Sequence, residues 1–315
     1  MRNINILLAW SKVCIWLVLI MLVRGITVVS GSEELEKLKE VVIEGIKFYE
    51  SSVREVYVEY EVFLESHSQT AKVVSVEEIL VTDGSRHYLQ SISLDKERKQ
   101  DRRFEQIWDG ERQINVELPS DNVVGRLPRR ILISPKKELP GLEHPLHYTP
   151  LYFHNDRTLS QHIAQAKSSS ILNSDYVWNG RHCILFAVDG TIPTNINIYT
   201  EIVIDTEKGF LPVSITHYKQ DKNGNKVKME SFDTVKVEKS GEIWFPMEGV
   251  RMLWWWTGSS GEVEPPIRRR TVVKNVKINQ SILSDKLKYE FKNGDSIFDA
   301  FIGEGYFFGE ANVGN

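Results

Sequence analysis

The chain has 315 residues, a formal net charge of -4, 41% hydrophobic residues and two cysteines. A mildly acidic chain argues against nucleic acid as a partner, because phosphate binding needs clustered Lys and Arg. Cys183 is the only cysteine after residue 30, so no intramolecular disulfide is expected and stability must come from an apolar core.

The first thirty residues have the charge and hydropathy order of a secretory signal. Arg2 and Lys12 precede or begin the apolar run Val13 to Val23, and the segment contains no acidic residue. This run is too short to cross a membrane, which needs about twenty apolar residues. The sequence therefore predicts a signal peptide over residues 1–30, cleaved near Ser30, and an extracytoplasmic protein, periplasmic or secreted. An uncleaved N-terminal anchor is the alternative, since apolar residues before Lys12 can extend the run.

An amphipathic helix is predicted over residues 33–51. Its apolar residues recur at three- and four-residue spacing, and Glu33 and Glu34 lie in the first turn, where the helix dipole favours acids. The apolar positions are Leu35, Leu38, Val42, Ile46 and Tyr49. From Val56 the period changes to two, which predicts that a β-strand follows directly.

Alternating apolar and polar residues then predict a succession of strands. Pairs such as Asp109-Gly110 and Asn179-Gly180 separate them, and such pairs supply the positive φ angles of tight hairpins. Strands and helices do not alternate, so the sequence predicts a mainly β (α+β) fold with one antiparallel sheet of about ten strands. The later strands are expected at 72–82, 86–95, 103–109, 111–118, 174–179, 181–189, 198–205, 210–220, 226–239, 242–257 and 268–280.

Two segments interrupt this pattern. Residues 119–156 hold six of the eleven prolines and predict a long flap, since such connections are usually disordered or functional. The flap leads into a short helix, Gln161 to Ser169, that Ser160 can cap. Residues 296–315 form a tail rich in aromatic residues and glycine, which we expect to dock on another surface. The predicted domain therefore runs from 31 to 295, with the insertion 119–156 inside it.

None of the common enzyme motifs occurs, and there is no phosphate-binding glycine loop. Four residues of metal-ligand type lie close together, but the prolines between them place them on a loop without fixed geometry. These residues are His144, His147, His154 and Asp156. His182 and Cys183 are strand neighbours that point to opposite faces, so they cannot form a base and nucleophile pair. We therefore expect no catalytic centre, no metal and no cofactor.

The run Trp254-Trp255-Trp256 is the most unusual local feature. In the predicted strand 242–257, even-numbered side chains share one face if no β-bulge intervenes. This rule predicts a ligand-binding surface formed by Trp244, Met252, Trp254 and Trp256. The alternative is ordinary core packing of the same side chains.

Several segments, taken in their order, resemble one protein family. They are Ile202-Val203-Ile204-Asp205, Gly209-Phe210-Leu211-Pro212-Val213, Ile243-Trp244-Phe245-Pro246 and Val276-Lys277-Ile278-Asn279, followed by Phe291 and Asp295. The order resembles that of the outer-membrane lipoprotein-sorting (LolA/LolB-like) superfamily, and of its exported relatives rather than the lipoprotein carrier itself. The resemblance covers residues 33–118 and 170–295.

The resemblance implies a single curved antiparallel sheet, nearly a half-barrel, with helices on its concave side over an apolar cavity. In that family the cavity holds acyl chains of a lipid or lipoprotein. We therefore predict an exported binding protein for an apolar or acyl-bearing ligand. The alternative is a structural or protein-interaction module with a filled core, whose partner is a cell-envelope protein. An enzyme is the least favoured interpretation, because no reacting group is evident.

Overall fold

A computed structural model of the chain describes residues 32–65, 74–83, 86–95, 100–118, 128–135, 146, 149–151, 157–191, 197–220, 225–254, 266–280 and 287–309. Within these ranges the helices are α1 (Ser32–Ser52) and α2 (Leu159–Ala164). The strands are β1 (Val56–Glu65), β2 (Val74–Thr82), β3 (His87–Asp95), β4 (Gln100–Trp108), β5 (Gln113–Leu118), β6 (Arg130–Ser134), β7 (Ser168–Trp178), β8 (Arg181–Thr191), β9 (Asn197–Asp205), β10 (Leu211–Gln220), β11 (Lys226–Ser240), β12 (Ile243–Leu253), β13 (Ile267–Ile278), β14 (Ser296–Asp299) and β15 (Glu304–Phe307).

These strands form one open sheet. Their order across it is β15-β14-β6-β5-β4-β3-β2-β1-β13-β12-β11-β10-β9-β8-β7. The described strand registers are antiparallel, except that β14 runs parallel to β6. The predicted mainly β fold with one antiparallel sheet is confirmed. The expected number of about ten strands is wrong, because the described residues contain fifteen.

Three of these strands lie where none was predicted. β6 lies inside the segment 119–156 and pairs with β5, so that segment is not an uninterrupted flap. β14 and β15 lie in the predicted tail, which docks by adding two strands to the sheet. Most other positions in 119–156 lie outside the described residues, and so do residues 1–31 with the predicted signal peptide.

The hairpin between β7 and β8 shows how local sequence sets the turn. Asn179 and Gly180 have φ angles of 48° and 76°. Positive φ at both central residues is the requirement of a type I′ turn, whose twist matches that of paired strands. The predicted hairpin is therefore confirmed. β7 begins at Ser168, however, and not at the expected residue 174.

The chain divides into two compact units, and the first comprises residues 1–52, 148–234 and 243–245. In its described part, α1 and α2 pack on one face of the strands around a buried apolar cluster. This cluster includes Leu38, Val42, Ile46, Leu159, Ile163, Ile184, Phe186, Val188, Ile202, Ile204 and Phe210. The helix predicted over 33–51 is confirmed, and it buries the predicted face because Leu38, Val42 and Ile46 belong to the cluster.

The second helix differs from its prediction. α2 is capped by Thr158, whose side chain accepts from the backbone N–H of Gln161, while the Gln161 side chain accepts from the Thr158 backbone. This reciprocal capping box fixes the start of the helix. Ser160 lies inside α2, and its backbone N–H and hydroxyl donate to Glu50 on α1. The expected cap at Ser160 and the expected extension to Ser169 are therefore wrong.

The second unit comprises residues 53–147, 235–242 and 246–315. One face of β4, β5, β6 and β14 carries a buried aliphatic cluster of Ile107, Ile114, Val116, Ile131, Ile133 and Ile297. Tyr289 and Phe291, which lie between β13 and β14, pack against this cluster. Of the helices in the described ranges, none has the length and apolar character needed to span a membrane.

Candidate functional site

The described part of the second unit contains a groove of about 530 Å³. This volume falls within the range of about 300–1,000 Å³ that is usual for small-molecule sites. The groove is lined by Phe104, Asn115, Glu117, Arg130, Ile131, Leu132, Ser296, Ile297, Phe298, Gly305, Tyr306 and Phe307. These residues belong to β4, β5, β6, β14 and β15, so the groove lies at the edge of the sheet that ends in β15.

Strand register explains why many of the groove-lining residues share one face of the sheet. Phe104, Glu117 and Arg130 are direct neighbours across β4, β5 and β6. Ser296 and Phe307 continue the same row across β14 and β15. Direct neighbours in a sheet project from the same face. One row of the groove therefore runs across five strands.

A second row lies one strand repeat away. Leu132 on β6 is opposite Asn115 on β5 and opposite Phe298 on β14. The intervening residues Ile131 and Ile297 border the groove as well, but their side chains project from the other face, where they are buried in the aliphatic cluster. The alternation that fills the aliphatic cluster therefore also sends Leu132 and Phe298 to the groove.

The apolar side chains of the groove are unusually exposed. Phe298 is 48% exposed, Phe307 is 47% exposed and Leu132 is 39% exposed. A contiguous exposed apolar patch on a soluble protein typically marks an interaction or ligand-binding surface. This groove is consequently the best candidate site in the described part of the chain.

Polar groups lie beside these apolar side chains. Glu117 and Arg130 are both exposed and stand directly opposite each other on β5 and β6. Asn115 adds an amide in the neighbouring row. Such groups can bind a polar head group through hydrogen bonds while the aromatic side chains contact an apolar tail.

A partly buried ion pair holds β14 beside β6. The Arg129 guanidinium donates to both carboxylate oxygens of Asp295, at 2.7 Å and 2.5 Å. Asp295 also accepts from the backbone N–H of Lys292 at 2.8 Å, and the Arg129 guanidinium lies 5.5 Å from the ring centre of Tyr289. The side chain of Asp295 is only 4% exposed. These contacts fix the strand that carries Phe298.

A partly buried carboxyl lies on the same face of the sheet. Glu78 on β2 is the cross-strand neighbour of Tyr60 and of Ser91, and Ser91 is opposite Phe104. Burial raises the pKa of Glu78, while the hydroxyls of Tyr60 and Ser91 oppose this change by a smaller amount. The row of residues that crosses the groove at Phe104 therefore continues through Ser91 to Glu78, whose carboxyl is largely shielded from water.

The residues predicted from the sequence as ligand-binding are only partly described by the structure, which does not test whether they form one surface. Trp244 lies in the first unit, where the Lys208 ammonium is 3.5 Å from its ring centre and Tyr49 donates to its backbone carbonyl. Met252 is partly buried near the end of β12 in the second unit. Trp254 follows the last residue of β12, and Trp256 lies outside the described residues. Their common surface stays a prediction.

The structure describes two of the residues that the sequence offers as chemical candidates, Cys183 and His182. Cys183 is buried, and burial raises the pKa of its thiol to about 12, so the nucleophilic thiolate is disfavoured. His182 is exposed beside Asp175, so it and Cys183 do point to opposite faces. In the described ranges there is no group of three or more metal-ligating side chains. His144, His147, His154 and Asp156 lie outside those ranges.

Comparisons with known proteins find structural likeness only. No family model and no curated protein matches the chain. One solved domain, from Vibrio parahaemolyticus, is described as an outer membrane lipoprotein-sorting protein domain; it has 8% identity to this chain and a TM-score of 0.45. The match covers 78% of this chain and 95% of that domain. A DUF1329 family protein from Desulfovibrio piger has 10% identity and a TM-score of 0.40, with coverages of 79% and 97%.

MucB has 10% identity and a TM-score of 0.28, with coverages of 77% of this chain and 93% of its own. A lipoprotein-sorting domain is therefore among the solved structures that this chain is similar to, as the sequence resemblance predicts. At these TM-scores the likeness carries no argument about function, which has to come from the residues of the chain itself.

Proposed function

We propose that the chain is an exported binding protein for an apolar or acyl-bearing ligand, and that the ligand lies in the groove of the second unit. The supporting observation is the exposure of Phe298, Phe307 and Leu132 inside a groove of about 530 Å³. Water in contact with such surfaces is displaced favourably by an apolar ligand. The polar residues Glu117 and Arg130 provide contacts for its head group.

The energetics favour a long chain over a short one. Each buried methylene contributes about 0.8 kcal/mol, so ten methylenes contribute roughly 8 kcal/mol. Association itself costs about 4–15 kcal/mol in lost translational and rotational freedom. A chain of only a few methylenes does not offset this cost, whereas a long acyl chain does.

A fluorescent fatty-acid probe tests the proposal. Phe298→Ala and Leu132→Ala remove apolar contact area from the groove, and each should weaken probe binding by roughly tenfold, which corresponds to about 1.4 kcal/mol. Leu172→Ala is the matched control, because Leu172 is 50% exposed on β7 in the first unit. Unchanged probe affinity in both groove variants would show that the ligand does not bind there.

The surface predicted from the sequence is a second location for the same ligand. If Trp254→Ala weakens probe binding while Phe298→Ala leaves it unchanged, the ligand lies near the end of β12. That result would retain the binding function and move the site. Equal probe binding by the wild type, Trp254→Ala and Phe298→Ala would count against both locations.

Export is part of the proposal. It rests on the basic start, the apolar run and the small residues near Ser30 in the sequence. N-terminal sequencing of the native protein should give a first residue between Gly31 and Glu34. An intact Met1 on a membrane-embedded product would identify the segment as an anchor.

A protein-interaction module is the second candidate. It is supported by the first unit, where the helix-covered face of the strands is filled by side chains such as Phe186, Ile202 and Leu159, each with no measurable exposure. A filled core of this kind leaves no space for a ligand. Absence of any acyl-probe binding by the wild-type protein would favour this candidate, with a cell-envelope protein as the partner.

A further inference from the structure

Strand β15 forms one edge of the sheet among the described strands. Among the described strands it pairs only with β14, through four consecutive residue pairs without a register shift. All four of its residues, Glu304 to Phe307, are exposed. A regular edge strand offers free backbone N–H and C=O groups to another strand, and proteins usually protect such edges with bulges or charges.

The opposite edge of the sheet differs from β15 in this respect. The register of β7 with β8 shifts between Ile171 and Asn173 and again between Asn173 and Tyr176. Bulges of this kind bend and twist a strand, so they hinder the addition of a further strand. Strand addition is therefore favoured at β15 and disfavoured at β7.

Exposed apolar side chains are concentrated around β15. Six of the ten large hydrophobic residues that are exposed in the described part of the chain lie between positions 298 and 308. They are Phe298, Phe301, Ile302, Tyr306, Phe307 and Phe308. An edge strand surrounded by exposed aromatic residues is typical of a surface that associates with another chain.

We propose that β15 pairs antiparallel with β15 of a second copy of this chain, about a twofold axis at Tyr306. In this register Tyr306 faces its own copy, Gly305 faces Phe307 of the second copy, and Glu304 faces Phe308 of the second copy. The contact is isologous, as in most homodimers. It goes beyond ligand binding and does not depend on it.

The side-chain alternation of β15 excludes registers in which the twofold axis falls between two residues. A twofold axis perpendicular to the sheet keeps the groove face of both copies on the same side, so residues that become paired must project from the same face. Gly305 and Phe307 share the groove face, because they are opposite Phe298 and Ser296 on β14. An axis through any residue of β15 satisfies this condition, and the axis at Tyr306 is the one that pairs Gly305 with Phe307 of the second copy.

Packing and charge also favour a second copy as the partner. Gly305 has no side chain, so the ring of Phe307 from the other copy can cover it, an arrangement that stabilises glycine in edge strands. The only acidic or basic residue of β15 is Glu304. The two Glu304 residues are not opposite each other in this register, so like charges are not paired.

Disulfide trapping tests the register directly. In a chain with Cys14→Ser, Tyr306→Cys should form a disulfide-linked dimer under mild oxidation, since cross-strand neighbours have Cβ atoms at about 4.5–5.5 Å. Phe301→Cys is the control, because Phe301 is 55% exposed and lies in the turn before β15. We expect cross-linking of Tyr306→Cys to be at least about tenfold faster. Cys183 is buried and should not interfere.

Light scattering of the wild-type protein provides the second measurement. The proposal predicts a dimer for the wild type and a monomer for Phe307→Lys, with circular dichroism confirming that the variant is folded. A monomeric wild type at its highest soluble concentration would overturn the proposal. So would a wild-type dimer in which Phe301→Cys cross-links as fast as Tyr306→Cys. Neither measurement uses an acyl ligand, so failure here leaves the proposed binding function to its own test.

Discussion

At the residue scale, Glu78 is a carboxyl whose environment makes stability depend on pH. Burial raises its pKa in the folded state above the ordinary value of about 4.3. A raised pKa means that the protonated form is favoured by folding, so the stabilisation is fully present below the unfolded pKa and is lost as pH rises through the folded pKa. The wild-type protein therefore loses stability at neutral pH through Glu78.

Glu78→Gln should remove this pH dependence. We expect the variant and the wild type to have similar free energies of unfolding at about pH 4, and the variant to be the more stable at about pH 8. Each tenfold difference in proton affinity between the folded and unfolded states is worth about 1.4 kcal/mol. Urea denaturation at both pH values measures this difference. A substitution effect of the same size at both values would contradict the assignment.

Substitution of Asp295 should lower the stability of the protein, in contrast to Glu78→Gln. Asp295→Asn leaves the Arg129 guanidinium partly buried without its carboxylate, and loss of one partner of a buried pair typically costs about 3–5 kcal/mol. Urea denaturation should therefore show a large loss of stability for this variant. Lys274→Gln is the control, because Lys274 is 47% exposed in its pair with Glu61 and such pairs contribute about 0–1 kcal/mol. Equal losses in both variants would show that the Asp295 pair is not specially stabilising.

At the element scale, Gly45 determines how closely α1 approaches the strands. A Cβ at this position would overlap the ring of Phe210, which is 2% exposed and has a φ of 62°. Alanine gains about 1 kcal/mol over glycine in helix propensity, but overpacking a core costs about 1–3 kcal/mol. The tight contact with a buried aromatic ring makes the steric term the larger one.

Gly45→Ala should consequently destabilise the protein by about 1 kcal/mol or more in thermal or urea denaturation. Glu40→Ala is the matched control, since Glu40 is exposed on the same helix and its substitution should change stability by less than about 0.5 kcal/mol. A Gly45→Ala variant that is more stable than the wild type would show that the helix can move away from Phe210.

Element by element, the sequence predicts those parts of the fold that local pattern determines. α1 and the long strands follow from periodicity because each has nine or more residues with a regular apolar face. β14 and β15 have four residues each, which is too short for alternation to identify a strand. β14 also depends on pairing with β6, far away in the sequence, and no local signal reports that contact.

β7 and α2 show a second limit of local pattern. Ser168, Ser169 and Ser170 have little intrinsic preference for a strand, yet they pair with Asp189, Val188 and Ala187 on β8. Tertiary pairing therefore overrides local propensity at these positions. The same cause shortens α2, which ends at Ala164.

At the scale of the whole molecule, the candidate site was only partly visible in the sequence. The density of aromatic residues after residue 295 does indicate an exposed apolar surface, and Phe298 and Phe307 belong to it. Phe104 and Leu132 carry no such signal, because their exposure depends on which face of the sheet the aliphatic cluster occupies. The sequence favours Trp254 because, where no motif is recognised, local apolar density is the main signal of a binding surface.

The most direct measurement is organic extraction of the protein purified from its native host, followed by mass spectrometry. The wild type is compared with the double variant Leu132→Asp and Phe298→Asp, which places two charges in the groove and should leave the buried aliphatic cluster intact. We expect the wild type to carry an acyl-bearing compound at close to equimolar amount, and the variant to carry none. A wild-type protein without such a compound, or equal amounts in both proteins, would contradict the proposal that this groove binds an acyl-bearing ligand.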